Sequence, residues 1–175
     1  MHQGEQPENQ EQPAAVEPEA GYRPETITVE IDPTKLALIQ GKNGGASWIS
    51  TVAVFAIINS ALTFMDVNLR FIFSLGVADI SAYIAQASES GGAKVVAIGI
   101  TIACAGSFLA LAHFAKKGAA WAFVVAMVLY GLDGGVWFLV QDWLEVGCHV
   151  FAVFMMFKGL QASQGLKKLY PDEFR

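Results

Sequence analysis

A helix that crosses a bilayer needs about 20 mostly apolar residues, because every backbone polar group must find its partner within the segment. This chain meets that requirement four times, at residues 46–65, 93–114, 119–140 and 142–160. The last two runs are almost continuous and together are twice a membrane thickness, so Gln141 and Asp142 mark a tight turn between them. The expected fold is an all-α membrane protein whose four transmembrane helices form two antiparallel hairpins over residues 46–162. Composition agrees. Of 175 residues 54% are hydrophobic and 15% charged, an apolar excess that a soluble domain of this length could not hide in one core.

Residues 1–24 are rich in Glu, Gln and Pro and contain no apolar run of the kind a cleavable signal peptide needs. Such a stretch cannot offset its ordering entropy, so a disordered acidic tail is expected over residues 1–45, with the first span inserting as an uncleaved anchor. Within the tail, Ile27-Thr28-Val29-Glu30-Ile31 alternates, and Asp32-Pro33 reads as the N-cap and first-turn proline of a short helix at 33–41 closed by Gly41. Eight acids precede the first span and account for the net charge of -5; the basic residues are few and scattered, which excludes nucleic acid as a partner.

Between the first and second spans, Leu69, Ile72, Phe73, Gly76, Ile80, Tyr83 and Ile84 recur at helical spacing, with Arg70, Ser74 and Ser81 on the other face. This pattern predicts an amphipathic helix lying in the membrane interface; Arg70, Asp79 and the short length count against a fifth span. Residues 88–92 follow as a loop. Orientation follows from basic residues near the span ends. Lys35, Lys42, Lys116, Lys117, Lys158, Lys167, Lys168 and Arg175 fall on one side if the spans alternate, against only Arg70 and Lys94 on the other. Both termini, including a short tail at 163–175, are therefore expected in the cytoplasm. Trp48 and Trp121 then mark the inner boundary and Trp143 the outer one.

Small residues recur as Gly99, Ala103, Gly106 and Ala110 in the second span and as Gly131 and Gly135 in the third. The expected use is close packing within the bundle, a dimer face being the alternative. Polar residues inside the spans say more, since a mid-membrane charge costs about 2.5–3.5 kcal/mol even on a lenient scale. With Gln141 at the turn, Asp133 and His149 lie eight residues to either side, roughly 12 Å deep at about 1.5 Å per residue. Asn59 and Thr101 come out at similar depth, so each span contributes one polar group to one layer. Two stripes lead outward, Asn59, Thr63 and Asp66 on the first span and His149, Glu145 and Asp142 on the fourth. The candidate binding residues are Asp133, His149, Asn59 and Glu145, read first as a hydrogen-bonded knot that fixes helix register. A vestibule binding a proton, cation or small ligand is the alternative. Glu145 and His149 have the spacing of two metal ligands, but no HExxH or His-rich pattern supports a metal, and no cofactor is implied. Cys104 and Cys148 read as buried small hydrophobes, and His113 as a solvated end residue.

Leu129-Tyr130-Gly131-Leu132-Asp133, Gln141-Asp142-Trp143-Leu144, Gly147, His149 and Gly159-Leu160-Gln161-Ala162 together resemble an uncharacterised group of bacterial four-helix integral membrane proteins. The resemblance covers mainly 129–162 and implies a bacterial inner membrane; it carries no activity. The expected function is a small non-enzymatic multi-pass protein, an accessory or interaction subunit. Its partners are the lipid bilayer and a protein held through the N-terminal tail or the Gly131/Gly135 face. A proton- or ion-coupled channel or transporter subunit using Asp133 and His149 is the second reading, and a membrane-embedded metal enzyme the third.

Overall fold

A computed structural model describes residues 32–88 and 90–174. Residues 1–31 of the expected tail, with the alternating stretch at 27–31, lie outside the described residues, whereas its last part, expected as tail to residue 45, is helical from Pro33 onward. Among the described residues five α-helices follow one another: α1 (Pro33–Phe64), α2 (Gly76–Ala87), α3 (Gly91–Lys116), α4 (Ala120–Leu139) and α5 (Trp143–Leu169), with a final 3-10 turn at Pro171–Phe174. Four of them, α1, α3, α4 and α5, are long and apolar enough to cross a membrane, which gives a multi-pass architecture.

The side chain of Asp32 caps α1 by accepting from the Thr34 amide at 2.8 Å, and Pro33 occupies the first turn, where its missing N–H costs nothing. The helix does not close at Gly41, as expected from the sequence, but continues unbroken to Phe64. Its glycines are spent on packing instead. A Cβ on Gly45 would lie 2.4 Å from the Gly159 Cα, and one on Gly41 would lie 3.0 Å from the Ala162 Cβ; one on Gly165 would meet Leu38 at 3.1 Å. Each step toward the N-terminus of α1 is matched by a step toward the C-terminus of α5, so the two helices run in opposite directions in close contact. That contact outweighs the intrinsic cost of helical glycine, about 1 kcal/mol each. At about 1.5 Å per residue α1 is roughly 48 Å long and α5 roughly 40 Å, both longer than the ~30 Å hydrocarbon layer. Helix α5 accordingly takes in the first residues of the expected C-terminal tail. The two overhanging ends are tied together by a Tyr170 hydroxyl to Asp32 hydrogen bond and by Lys35 over the Tyr170 ring at 5.5 Å. That hydroxyl and the Thr34 amide hold the Asp32 carboxyl below its ordinary value.

The interior is built largely from alanine, with Ala46, Ala53, Ala56, Ala78, Ala122 and Ala126 fully buried, while Val95 and Leu132 are each 70% exposed. Large side chains outside and small ones inside is the arrangement that lipid as solvent permits, since packing rather than water exclusion holds such helices together. The expected small-residue stripes are not part of that packing. Gly99, Ala103, Gly106 and Ala110 face outward, and a Cβ on Gly131 or Gly135 would meet nothing within 4 Å. Spacing identifies a small face but not the direction in which it points. The close approaches belong to Gly45 with Gly159, Gly134 with His149 and Gly76 with Trp137.

Turns with left-handed backbone sit at Asp66 (φ 56°), Gly118 (φ 86°) and Gln141 (φ 61°), the last at the position expected for the turn between the third and fourth spans. The segment after Asp66 departs most from expectation. Leu69, Ile72 and Phe73 are not helical, and α2 starts only at Gly76. The chain folds back along α1: Phe71 stacks on Phe55 at 5.0 Å, and Phe73 packs on Trp48 at 5.5 Å. Trp48 is thereby held among protein rings, with Phe151 at 5.4 Å. Helix α2 buries Gly76, Ala78, Asp79, Ala82 and Ala85, and turns Val77, Tyr83 and Ile84 outward, so its one acid points into the protein.

Candidate functional site

Backbone outside a helix cannot satisfy itself, and at membrane depth it survives only where protein groups take the place of water. The folded-back segment uses two of the expected site residues for this purpose. Asn59 of α1 bonds both backbone groups of Phe71: its Oδ1 accepts from the Phe71 N–H at 2.8 Å and its Nδ2 donates to the Phe71 carbonyl at 2.8 Å. Asp133 of α4 receives the first turn of α2, with the Gly76 N–H at 2.7 Å from Oδ2 and the Val77 N–H at 3.0 Å from Oδ1. The N-terminus of α2 is thus capped by a carboxylate from a helix 57 residues away in sequence. It is the residue type expected at a helix start, supplied from elsewhere.

His149 completes the arrangement. Its Nε2 lies 3.1 Å from Asp133 Oδ2, and its Nδ1 lies 2.8 Å from the carbonyl of Glu145, one turn earlier in α5. A carbonyl only accepts, so Nδ1 carries a hydrogen. Either Nε2 carries one too and the pair is imidazolium with carboxylate, or Asp133 holds the proton and donates it to Nε2. In both forms the pair is neutral as a unit and shares one proton. Tyr130 stacks on the imidazole at 4.2 Å with the planes 17° apart, and a Cβ on Gly134 would come within 2.9 Å of His149. Asp133 and His149 are 7% and 3% exposed.

The expected single layer resolves into separate clusters. Thr101 pairs with Ser60 at 2.8 Å rather than with the Asp133 group. Asn59 also donates to Asp79 Oδ2 at 3.1 Å, and the Ser74 hydroxyl donates to the same oxygen. Burial pushes the Asp79 carboxyl up to about 6, because desolvation outweighs those hydrogen bonds and the nearby Arg70 charge. Glu145, 2% exposed, turns away from His149 and binds Arg70 Nη2 at 2.5 Å, with Asp142 at 3.6 Å from the same nitrogen. The Arg70 guanidinium lies over the Trp137 ring at 4.7 Å. On the α1 stripe, Thr63 bonds the Asn59 carbonyl of its own helix, and Asp66 is exposed in the turn.

A metal finds no ligand set here. Both nitrogens of His149 are committed, Glu145 is held by Arg70, and among the described residues no three His, Cys, Asp or Glu side chains converge. Cys104 and Cys148 are free thiols, half-buried rather than fully buried, and His113 is exposed against Phe114. Residues not expected in the site carry much of the arrangement: Arg70, Ser74, Gly76, Asp79 and Trp137. Their one signal was two charges, Arg70 and Asp79, in an otherwise apolar stretch. No protein-family model, curated protein or solved structure matches the chain.

Proposed function

We propose that the chain is a small non-enzymatic membrane protein that acts as an accessory or interaction subunit. Its spans form two antiparallel hairpins, both termini face the cytoplasm, and α2 is a re-entrant half-helix rather than a helix lying on the surface. The resemblance over 129–162 supports a bacterial inner membrane as its location. One observation carries this reading. The inward N-terminus of a broken helix is where a transporter receives an anionic substrate group, and here that position is filled by Asp133 of the same chain. Asp133 and His149 use their bonding capacity to hold the fold. The outward Gly131 and Gly135 line an open groove of about 320 Å³ between α4 and α5, which supports a partner helix as the thing bound.

Purified protein reconstituted with a pH-sensitive dye inside the vesicles should leak protons no faster than protein-free vesicles, and Asp133→Asn should lower stability without altering flux. A flux that vanishes in a folded Asp133→Asn variant would replace this reading with the transport one. Reporter fusions after Lys117 and after Arg175 should read cytoplasmic, and one within 88–92 external; an external signal at Lys117 would reverse the orientation.

A further inference from the structure

Near the ends of α1 and α4, α2 and the folded-back segment enclose a cleft of about 300 Å³ lined by Thr63, Arg70, Asp79, Ile80, Tyr83 and Trp137. Asp79 and Trp137 are each only 7% exposed, yet each keeps a buried polar atom without a partner among the described residues, Asp79 Oδ1 and Trp137 Nε1. The other Asp79 oxygen is taken by Ser74 and Asn59, and the indole has no second polar atom. The large majority of buried polar atoms in stable folds are paired, so both atoms keep bonding capacity for something from outside the chain.

The two atoms need opposite things. A carboxylate oxygen accepts and an indole N–H donates, so a bare metal cation would serve only Asp79 and a bare anion only Trp137. The charges in the cleft are divided in the same way, with the Arg70 guanidinium stacked on Trp137 and the carboxylate of Asp79 on α2. Glu145 and Asp142 both engage Arg70 through Nη2, which leaves the rest of its planar fork for an anion. Such a divided site suits a zwitterion. Depth narrows the choice further. Thr63 is one residue from the end of α1, and Trp137 is two from the end of α4, which is the level where headgroups meet the ends of spanning helices. Tyr83 and Ile84, 71% and 60% exposed, continue the outward apolar face of α2 beside the cleft.

We propose that this cleft binds the headgroup of a zwitterionic phospholipid, its ammonium on Asp79 and its phosphate against the Trp137 indole N–H and Arg70. The chemistry recognised is an ammonium a few bonds from a phosphate, which free phosphoethanolamine also carries.

The full-length protein in detergent is heated with short-chain phosphatidylethanolamine, short-chain phosphatidylglycerol or free phosphoethanolamine in separate arms. The phosphatidylethanolamine arm should raise the Tm by several degrees, and phosphatidylglycerol, which lacks the ammonium, should not. The shift should disappear in Asp79→Asn and in Trp137→Phe; the latter keeps an aromatic ring under Arg70, so it still tests the site if Asp79→Asn fails to fold. An equal shift from free phosphoethanolamine would support the same contacts and identify a soluble zwitterion as the source. Equal shifts from both lipids, or a shift that persists in Trp137→Phe, would overturn the proposal. No shift in any arm would overturn it as well and leave water as the occupant.

Discussion

Replacing Asp133 by Asn removes one acceptor while keeping the shape of the side chain, and the structure fixes what must go wrong. Oδ2 accepts from Gly76 N–H at 2.7 Å and faces His149 Nε2 at 3.1 Å; Oδ1 accepts from Val77 N–H at 3.0 Å. If the amide nitrogen takes the Oδ2 position it can donate to a neutral His149, but it then confronts the Gly76 N–H, donor against donor. If it takes the Oδ1 position it confronts the Val77 N–H, and His149 must then donate as an imidazolium with no counter-charge. Both orientations orphan a buried donor, at about 1–3 kcal/mol. Loss of the carboxylate from the positive end of α2 adds about 0.3–2 kcal/mol. The expected destabilisation is about 2–4 kcal/mol, read from reversible unfolding in mixed micelles. Hydrogen exchange at the Gly76 and Val77 amides should accelerate well before the rest of α2. A variant within about 0.5 kcal/mol of wild type, with those two amides still protected, would show that Asp133 does not hold the start of α2.

His149→Gln should also destabilise, and combined with Asp133→Asn it should lose less than the sum, by roughly the 0.6 kcal/mol typical of polar pairs in membrane bundles; strict additivity in the cycle would mean the two do not act on each other. Gly45→Ala should cost about 1–3 kcal/mol by overpacking, since its Cβ would sit 2.4 Å from the Gly159 Cα where carbon contacts need about 3.5–4.0 Å. Gly44→Ala, one residue away in open space, should be neutral or stabilising by up to about 1 kcal/mol, and equal effects at both positions would refute the α1–α5 approach.

The four spans were legible because apolar length is a local property that needs no knowledge of neighbours. The meeting of Asp133 and His149 was legible for a related reason: one turn at Gln141 sets both depths at once, and helix rise does the rest. What escaped depended on partners that leave no pattern in the sequence. Asn59 bonds the backbone of Phe71, and a peptide group looks the same at every position. The periodicity that predicted a helix from Leu69 included Phe73, whose ring packs instead on Trp48 of α1. The start of α2 is decided by a carboxylate in α4. Gly41 reads as a helix stop because α5, the helix that it and Gly45 admit, lies over a hundred residues further along.

The way the folded-back segment is held also sets an order of events during synthesis. Asn59 precedes it and is ready at once, but Gly76 waits for Asp133, 57 residues later, and Arg70 waits for Glu145, 75 residues later. At roughly 5–20 residues per second the second delay amounts to about 4–15 s. Through that interval Arg70 lacks the Glu145 carboxylate and has the charge of Asp79 as partial compensation, and an under-paired arginine is costly in hydrocarbon, so the segment is expected to stay at the aqueous surface until α5 arrives. Its entry comes last, sideways into a bundle whose final helix has just arrived. Nascent chains arrested after Lys117 should therefore leave residues 65–75 open to aqueous labelling reagents, and completed chains should close them off.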